Sequence, residues 1–209
     1  MKKDSTLKDA VYAAVLDGII RDEYKPGQII SEKDLTEKHG VSKAPVREAL
    51  IALCSQGVLR SIPRCGYQII ALTTKDIYEI LTFRSILEKV CLRTFCGKLT
   101  EEQFAELEEL NRLCCDTEAG DDMWAHWDHN AAFHLKLASY AENNYIYKEL
   151  ERSMDILRRA YAQHYWDKWT PSSGLLDVKS HKQLINALRE GNLMAAEIYL
   201  EADIGDFGV

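Results

Sequence analysis

Between Ser31 and Leu53 the chain starts a short helix, is stopped by a glycine, and starts another. Ser31 precedes Glu32-Lys33-Asp34-Leu35, where a hydroxyl can cap the free N–H groups of a first turn. Gly40 follows His39, a position that favours a residue tolerant of left-handed backbone. The next helix begins at Ser42. Pro45 falls in its first turn, where the missing N–H is not needed, and Val46, Ala49, Leu50 and Leu53 form one apolar stripe. Two short helices joined by a turn containing glycine predict a helix-turn-helix. Upstream, Leu7, Val11, Ala14, Val15 and Ile19 recur at helical spacing until Tyr24-Lys25-Pro26-Gly27 stops them. Downstream of Gly57, Val58-Leu59 and Tyr67-Gln68-Ile69-Ile70 read as brief strands around Pro63-Arg64-Cys65-Gly66. The order helix, helix-turn-helix, hairpin predicts a winged helix.

From Thr73 onward the pattern is helical, with capping pairs at Thr73/Asp76 and Thr100/Gln103. Helices are expected over about 74–96, 101–117, 121–141, 144–166, 175–190 and 192–204, with the longest loop around Thr170–Gly174. The expected fold is therefore mainly α: a winged helix-turn-helix over residues 1–72, then an all-α antiparallel helical bundle over residues 73–209. The interior of a bundle is where ligand and metal sites are built.

The net charge of -7 argues against a polyanionic partner when taken over the whole chain. Divided at the expected boundary, residues 1–72 hold 11 Lys+Arg against 9 Asp+Glu, a net of +2. The remainder holds 15 against 24, a net of -9, so the acidity belongs to the second part. Six cysteines include no CxxC pair, and no secretory leader or membrane-length apolar run is visible. Free thiols, a cytoplasmic location and no membrane partner are expected. Cys114 lies on the apolar pattern of Phe104, Leu107 and Leu110, as a small buried hydrophobe would.

Lys43 and Arg47 stand one turn apart, on a face opposite Val46, Leu50 and Leu53. A cationic face opposite a buried one suits a major-groove helix, because Arg can grip guanine O6 and N7 while Lys neutralises phosphate. Ser42 at the helix N-terminus can cap it or bind a phosphate; Lys33 and Arg64 are further cations, and Gly66 lets backbone approach the sugar-phosphate edge. The alternative is a set of solvated charges, with Arg47 paired to Glu48 or Glu32. In the second part Asn130 and His134 share a helix face, His181 lies on the helix of Leu184, Ile185 and Leu188, and Asp203 follows on the last. Convergence of these helices would set two imidazoles, a carboxylate and an amide oxygen around a cation. Taken singly, His134 reads as a core or boundary histidine and Asp203 as a solvated acid.

Pro26-Gly27, Ser31-Glu32-Lys33-Asp34-Leu35, Gly40-Val41-Ser42, Pro45-Val46-Arg47-Glu48-Ala49-Leu50, Leu53, Gly57 and Arg64-Cys65-Gly66-Tyr67 together resemble the winged helix of GntR-family bacterial transcriptional regulators. The resemblance implies DNA contacts by Lys33, Ser42, Lys43, Arg47, Arg64 and Gly66. That family often has Arg where Lys43 stands and Thr where Ala44 stands, and Lys lacks the planar fork, which leaves Arg47 as the expected base reader. Residues 75–204 resemble the helical FCD effector-binding domain through Arg84-x-x-x-Glu88, Phe133-His134-x-x-Leu137, Asn143, His181 and Asp203.

Members of that subfamily commonly place Asp, His, His and His where this chain has Asn130, His134, His181 and Asp203, and bind a divalent metal there. The carboxylate has moved from one end of the set to the other, so its formal charge is kept. Zinc, nickel, manganese or iron(II) suits such donors. The subfamily further implies that Arg84 clamps a small organic acid beside the metal, with Arg152, Arg158 and Arg159 as further clamp candidates. The simpler reading of Arg84 is a helical pair with Glu88. The expected whole is a non-enzymatic, homodimeric regulator on near-palindromic operator DNA. Its rivals are a constitutive DNA-binding dimer without metal or effector, and a metal-dependent enzyme fused to a DNA-binding module, which lacks any HExxH or Ser/His/Asp order.

Overall fold

The structure, a computed structural model, describes residues 6–115, 123–165 and 179–205. It divides into two compact units, Met1–Thr73 with Arg159–Trp166, and Thr74–Arg158 with Asp167–Val209.

The first unit opens with α1 (Leu7–Ile20), capped reciprocally by Thr6 and Asp9. After β1 (Ile29–Ile30) comes α2 (Glu32–His39), whose Asp34 N–H donates to Ser31 Oγ at 3.1 Å and whose end is Gly40 at φ 64. Helix α3 (Lys43–Ser55) buries Val46, Ala49, Leu50 and Leu53 against Val11, Val15, Ile19 and Leu35, as the stripe requires. Strands β2 (Leu59–Ile62) and β3 (Gly66–Ile69) form the hairpin, and the three-stranded antiparallel sheet runs β1-β3-β2.

Two differences from the sequence reading have physical reasons. β2 extends through Arg60 and Ser61, which face solvent and so give no apolar signal. β1 was not anticipated: its two residues are too short to show alternation, and pairing of Ile30 with Tyr67 on β3 creates it. That pairing explains Gly66. At φ 130 it passes so close to β1 that a Cβ would sit 2.5 Å from the Ile30 carbonyl oxygen.

The second unit contains α4 (Thr74–Phe95), α5 (Glu101–Cys115), α6 (Met123–Ser139), most of α7 (Asn144–Tyr165), α8 (Lys179–Arg189) and α9 (Leu193–Gly205). Thr100 and Gln103 cap α5 reciprocally, at 2.9 and 3.3 Å. The Asn143 side-chain oxygen accepts from Tyr145 and Ile146 N–H, both at 3.1 Å, and starts α7. Leu92 and Phe95 of α4, Leu107 of α5, Phe133 and Leu137 of α6, Leu150 of α7, Leu184 and Leu188 of α8 and Leu200 of α9 share one core. Cys114 is buried as expected, and Cys54, Cys65, Cys91 and Cys96 are free thiols. Helix α6 ends at Ser139, ahead of the expected 141, in a turn with Glu142 at φ 51. The loop expected at Thr170–Gly174 and residues 175–178 lie outside the described residues.

Replacing Gly66 by alanine should destabilise the first unit by about 1–3 kcal/mol in chemical denaturation, because the strained φ and the carbonyl contact act together. Cys65→Ala, in the exposed turn beside it, should stay within about 0.5 kcal/mol of wild type.

Candidate metal centre and nucleic-acid interface

Four helices of the second unit bring five ionisable side chains into its interior. Arg84 and Glu88 come from α4, His134 from α6, His181 from α8 and Asp203 from α9, with relative exposures of 4, 1, 0, 0 and 8%. Arg84 Nε donates to Glu88 Oε1 at 2.6 Å. Glu88 Oε2 is 2.7 Å from His134 Nδ1, and His134 Nε2 is 2.8 Å from Asp203 Oδ2. His181 Nε2 closes the group, 3.3 Å from Asp203 Oδ1 and 3.4 Å from His134 Nε2. Phe133 stacks on the His181 ring with centroids 3.8 Å apart and fixes its plane.

The electrostatics follow from this order. Burial and Arg84 push the His134 imidazole down, but Glu88 and Asp203 outweigh them and hold it above its ordinary value. Burial dominates at His181 and lowers it, favouring the neutral ring. Burial opposes ionisation of both carboxyls, yet the histidines hold Asp203 well below the usual carboxylate range, and His134 with Arg84 hold Glu88 below its own.

The donor set fits a divalent cation. One ligand atom each from His134, His181 and Asp203 lies within 4.8 Å of the others. Donors about 2.1 Å from a cation stand about 3.0 to 3.4 Å apart at right or tetrahedral angles, close to the separations here. Buried Asp203 Oδ1 and His181 Nδ1 have no hydrogen-bond partner, and neither has Arg84 Nη2. Glu88, 2.7 Å from His134 Nδ1, stands where an outer carboxylate would keep the proton on Nδ1 and leave Nε2 to a cation. Asn130 stands one turn before His134 on α6, half-buried.

Arg84 forms the helical pair with Glu88 that its spacing allowed, but in the interior. What the sequence reading missed is Glu88 as the partner of His134. Of the further clamp candidates, Arg158 pairs with Asp128 at 3.2 Å, Arg152 is exposed, and Arg159 is grouped with the first unit.

In the first unit, Lys33 on α2 and Lys43 at the start of α3 are exposed, and Lys33 has only a loose 3.8 Å approach to an equally exposed Glu37. Ser42 is the α3 N-cap yet makes no side-chain capping bond, so its hydroxyl is not committed to the helix. Arg64 is exposed in the hairpin turn at φ 65. Arg47 donates from Nε and Nη2 to the two oxygens of Glu32, at 2.9 and 3.0 Å, and Tyr67 hydroxyl donates to Glu32 Oε1 at 3.2 Å. The Arg47 bonds hold the Glu32 carboxyl below its ordinary value. Gly66 has a structural requirement in Ile30 that involves no ligand.

Residues 7–69 match the model of the gntR family of bacterial regulatory proteins, and residues 79–205 match that of the FCD domain. The chain is a GntR-family transcriptional regulator of the FCD type. Its relatives are named transcriptional regulators, and this GntR chain is accordingly not an enzyme. The uncharacterised HTH-type regulator YdhC of Bacillus subtilis is 27% identical over 88% of this chain and 81% of its own length. The Nta operon transcriptional regulator of Aminobacter aminovorans is 24% identical over 80% of this chain and 76% of its own. E. coli McbR/YncC shares the fold, with a TM-score of 0.76 at 22% identity over 96% of this chain and 94% of that one. Among the described residues no helix is long and apolar enough to cross a membrane.

Removing Arg84 leaves Glu88 buried without its cation. Arg84→Ala is expected to cost about 3–5 kcal/mol of stability, measured by chemical denaturation.

Proposed function

We propose that this GntR regulator is a cytoplasmic homodimer that binds operator DNA through the winged helix of residues 1–72 and senses a small organic acid through the helical domain of residues 73–209. A divalent metal would be held there by His134, His181 and Asp203, with the Asn130 amide close along α6. The convergence of three metal-binding side chains beside a buried Arg84 with an unpartnered Nη2 carries this reading. Arg84 supplies a hydrogen-bond donor to an acid's carboxylate, and the metal, when bound, supplies a second positive centre for the same ligand. Zinc, nickel, manganese and iron(II) all accept imidazole and carboxylate donors, and coordination geometry selects among them. An acid that favours one arrangement of α4 would change operator affinity by that preference, since coupling between sites is a difference in binding free energy between conformers.

Lys33, Ser42, Lys43 and Arg64 are assigned to the phosphate backbone, Arg47 to a base edge and Gly66 to the close passage of the wing. A second reading, a constitutive DNA-binding dimer, has one observation in its favour. The 2.8 Å contact between His134 and Asp203 is satisfied by a proton alone.

Elemental analysis of freshly purified protein separates the two. Near-stoichiometric divalent metal is expected in the native chain, and loss of it in His134→Ala and in His181→Ala; a native protein that neither carries nor takes up metal would leave the constitutive reading. On DNA, Arg47→Ala should weaken operator binding by about 1–3 kcal/mol and relax preference at one base pair. Lys33→Ala should weaken all sequences alike and reduce the salt slope by about one. Operator binding by Arg47→Ala equal to wild type would remove Arg47 from the recognition face.

A further inference from the structure

The Arg47–Glu32 pair is too specific in geometry to be a passing surface contact. A guanidinium presents two edges able to make paired hydrogen bonds, one from Nε and Nη2 at its side and one from Nη1 and Nη2 at its end. Glu32 takes the side edge with one oxygen on each nitrogen, at 2.9 and 3.0 Å. The carboxylate is the more covered partner, with its side chain 22% exposed against 61% for Arg47, so the guanidinium is the group offered to solvent. Glu32 is itself held by the Tyr67 hydroxyl of β3 at 3.2 Å. One carboxylate thus ties the first residue of α2, the face of α3 and the wing strand together.

We infer that Glu32 is a positioning residue for base recognition, which occupies the side edge of Arg47 and leaves the end edge as the one that can grip a guanine in the major groove. The inference rests on the assignment of Arg47 to a base. It has two physical consequences. Arg47 gives up most of its rotamer freedom before DNA arrives, so the geometry of its approach is set by the protein. The pair is also close to neutral, so Arg47 releases few counterions and contributes discrimination, while Lys33, Lys43 and Arg64 contribute salt-dependent affinity.

The full-length protein, presented with a library of randomised double-stranded DNA, provides the test, with wild type, Glu32→Gln, Arg47→Ala and the double variant selected in parallel. Arg47→Ala should erase preference at one base pair of the wild-type consensus. Glu32→Gln should lower preference at that same base pair about tenfold, within the range of a bidentate base contact. It should also bind a non-matching duplex more tightly and steepen the salt slope by up to about one, because Arg47 becomes free to meet phosphate. In the Arg47→Ala background Glu32→Gln should change that preference no further, which a general effect on folding would not reproduce. Tyr67→Phe, which keeps the fold's apolar contacts, should shift preference in the same direction by a smaller factor. A Glu32→Gln protein with the wild-type consensus and salt slope, while Arg47→Ala loses its base pair, overturns the inference and leaves the base reader in place. A consensus unchanged by Arg47→Ala overturns both.

Discussion

The helical unit is organised around the chain of contacts Arg84–Glu88–His134–Asp203–His181. Placing ionisable groups in an interior costs several kcal/mol for each ion unless it meets a partner with good geometry. Here each member is the partner of the next, and α4, α6, α8 and α9 each supply at least one. The apolar core alone would tolerate small shifts between these helices, because Leu and Phe side chains repack. Hydrogen bonds of 2.6 to 2.8 Å do not tolerate the same shifts. The polar chain therefore sets the register in which the apolar rows meet, and it leaves Arg84 Nη2, without a hydrogen-bond partner, on the inside.

Legibility in the sequence followed the range over which each feature is determined. The helix-turn-helix is local: Ser31 caps α2, Gly40 ends it, and the stripe from Val46 to Leu53 marks the buried face of α3. The spacing of Asn130 and His134 is local too. His181 and Asp203 stand as candidates on their own helices, but nothing in the spacing of three separate helices states that their buried faces meet; the resemblance to the FCD domain supplies that expectation. Strand β1 was missed because its pairing, and not its composition, makes it a strand. Glu88 was within reach. Ile77, Leu81, Arg84, Glu88, Cys91 and Phe95 alternate steps of four and three residues along α4, and five of them are buried while Leu81 packs against the core. Two charged residues inside such a stripe mark a polar site in the core, whereas the pair read alone looks like any exposed helical ion pair.

Charge is handled unit by unit. In the winged helix, Lys43 and Arg64 face solvent, while Arg21, Lys25, Lys38 and Arg47 pair with Asp17, Asp22, Glu23 and Glu32. In the helical unit the acidic excess is on the surface, where Glu106, Glu109 and Glu197 pair with Lys136, Arg112 and Arg93. Its interior group sets the Arg84 guanidinium and the two imidazoles against two carboxylates. A proton and a cation would compete there for the same lone pair on His134 Nε2.

The position of Asp203 along the chain bears on how the helical unit is born. Synthesis runs from the N-terminus, and every residue of the winged helix in Leu7–Ile69 precedes the first helix of the bundle. The carboxylate that completes the interior group is carried by α9, the last described helix. Until α9 has been made, His134 has Glu88 as its carboxylate partner in the group and His181 has none, so the interior group is completed only at that last step.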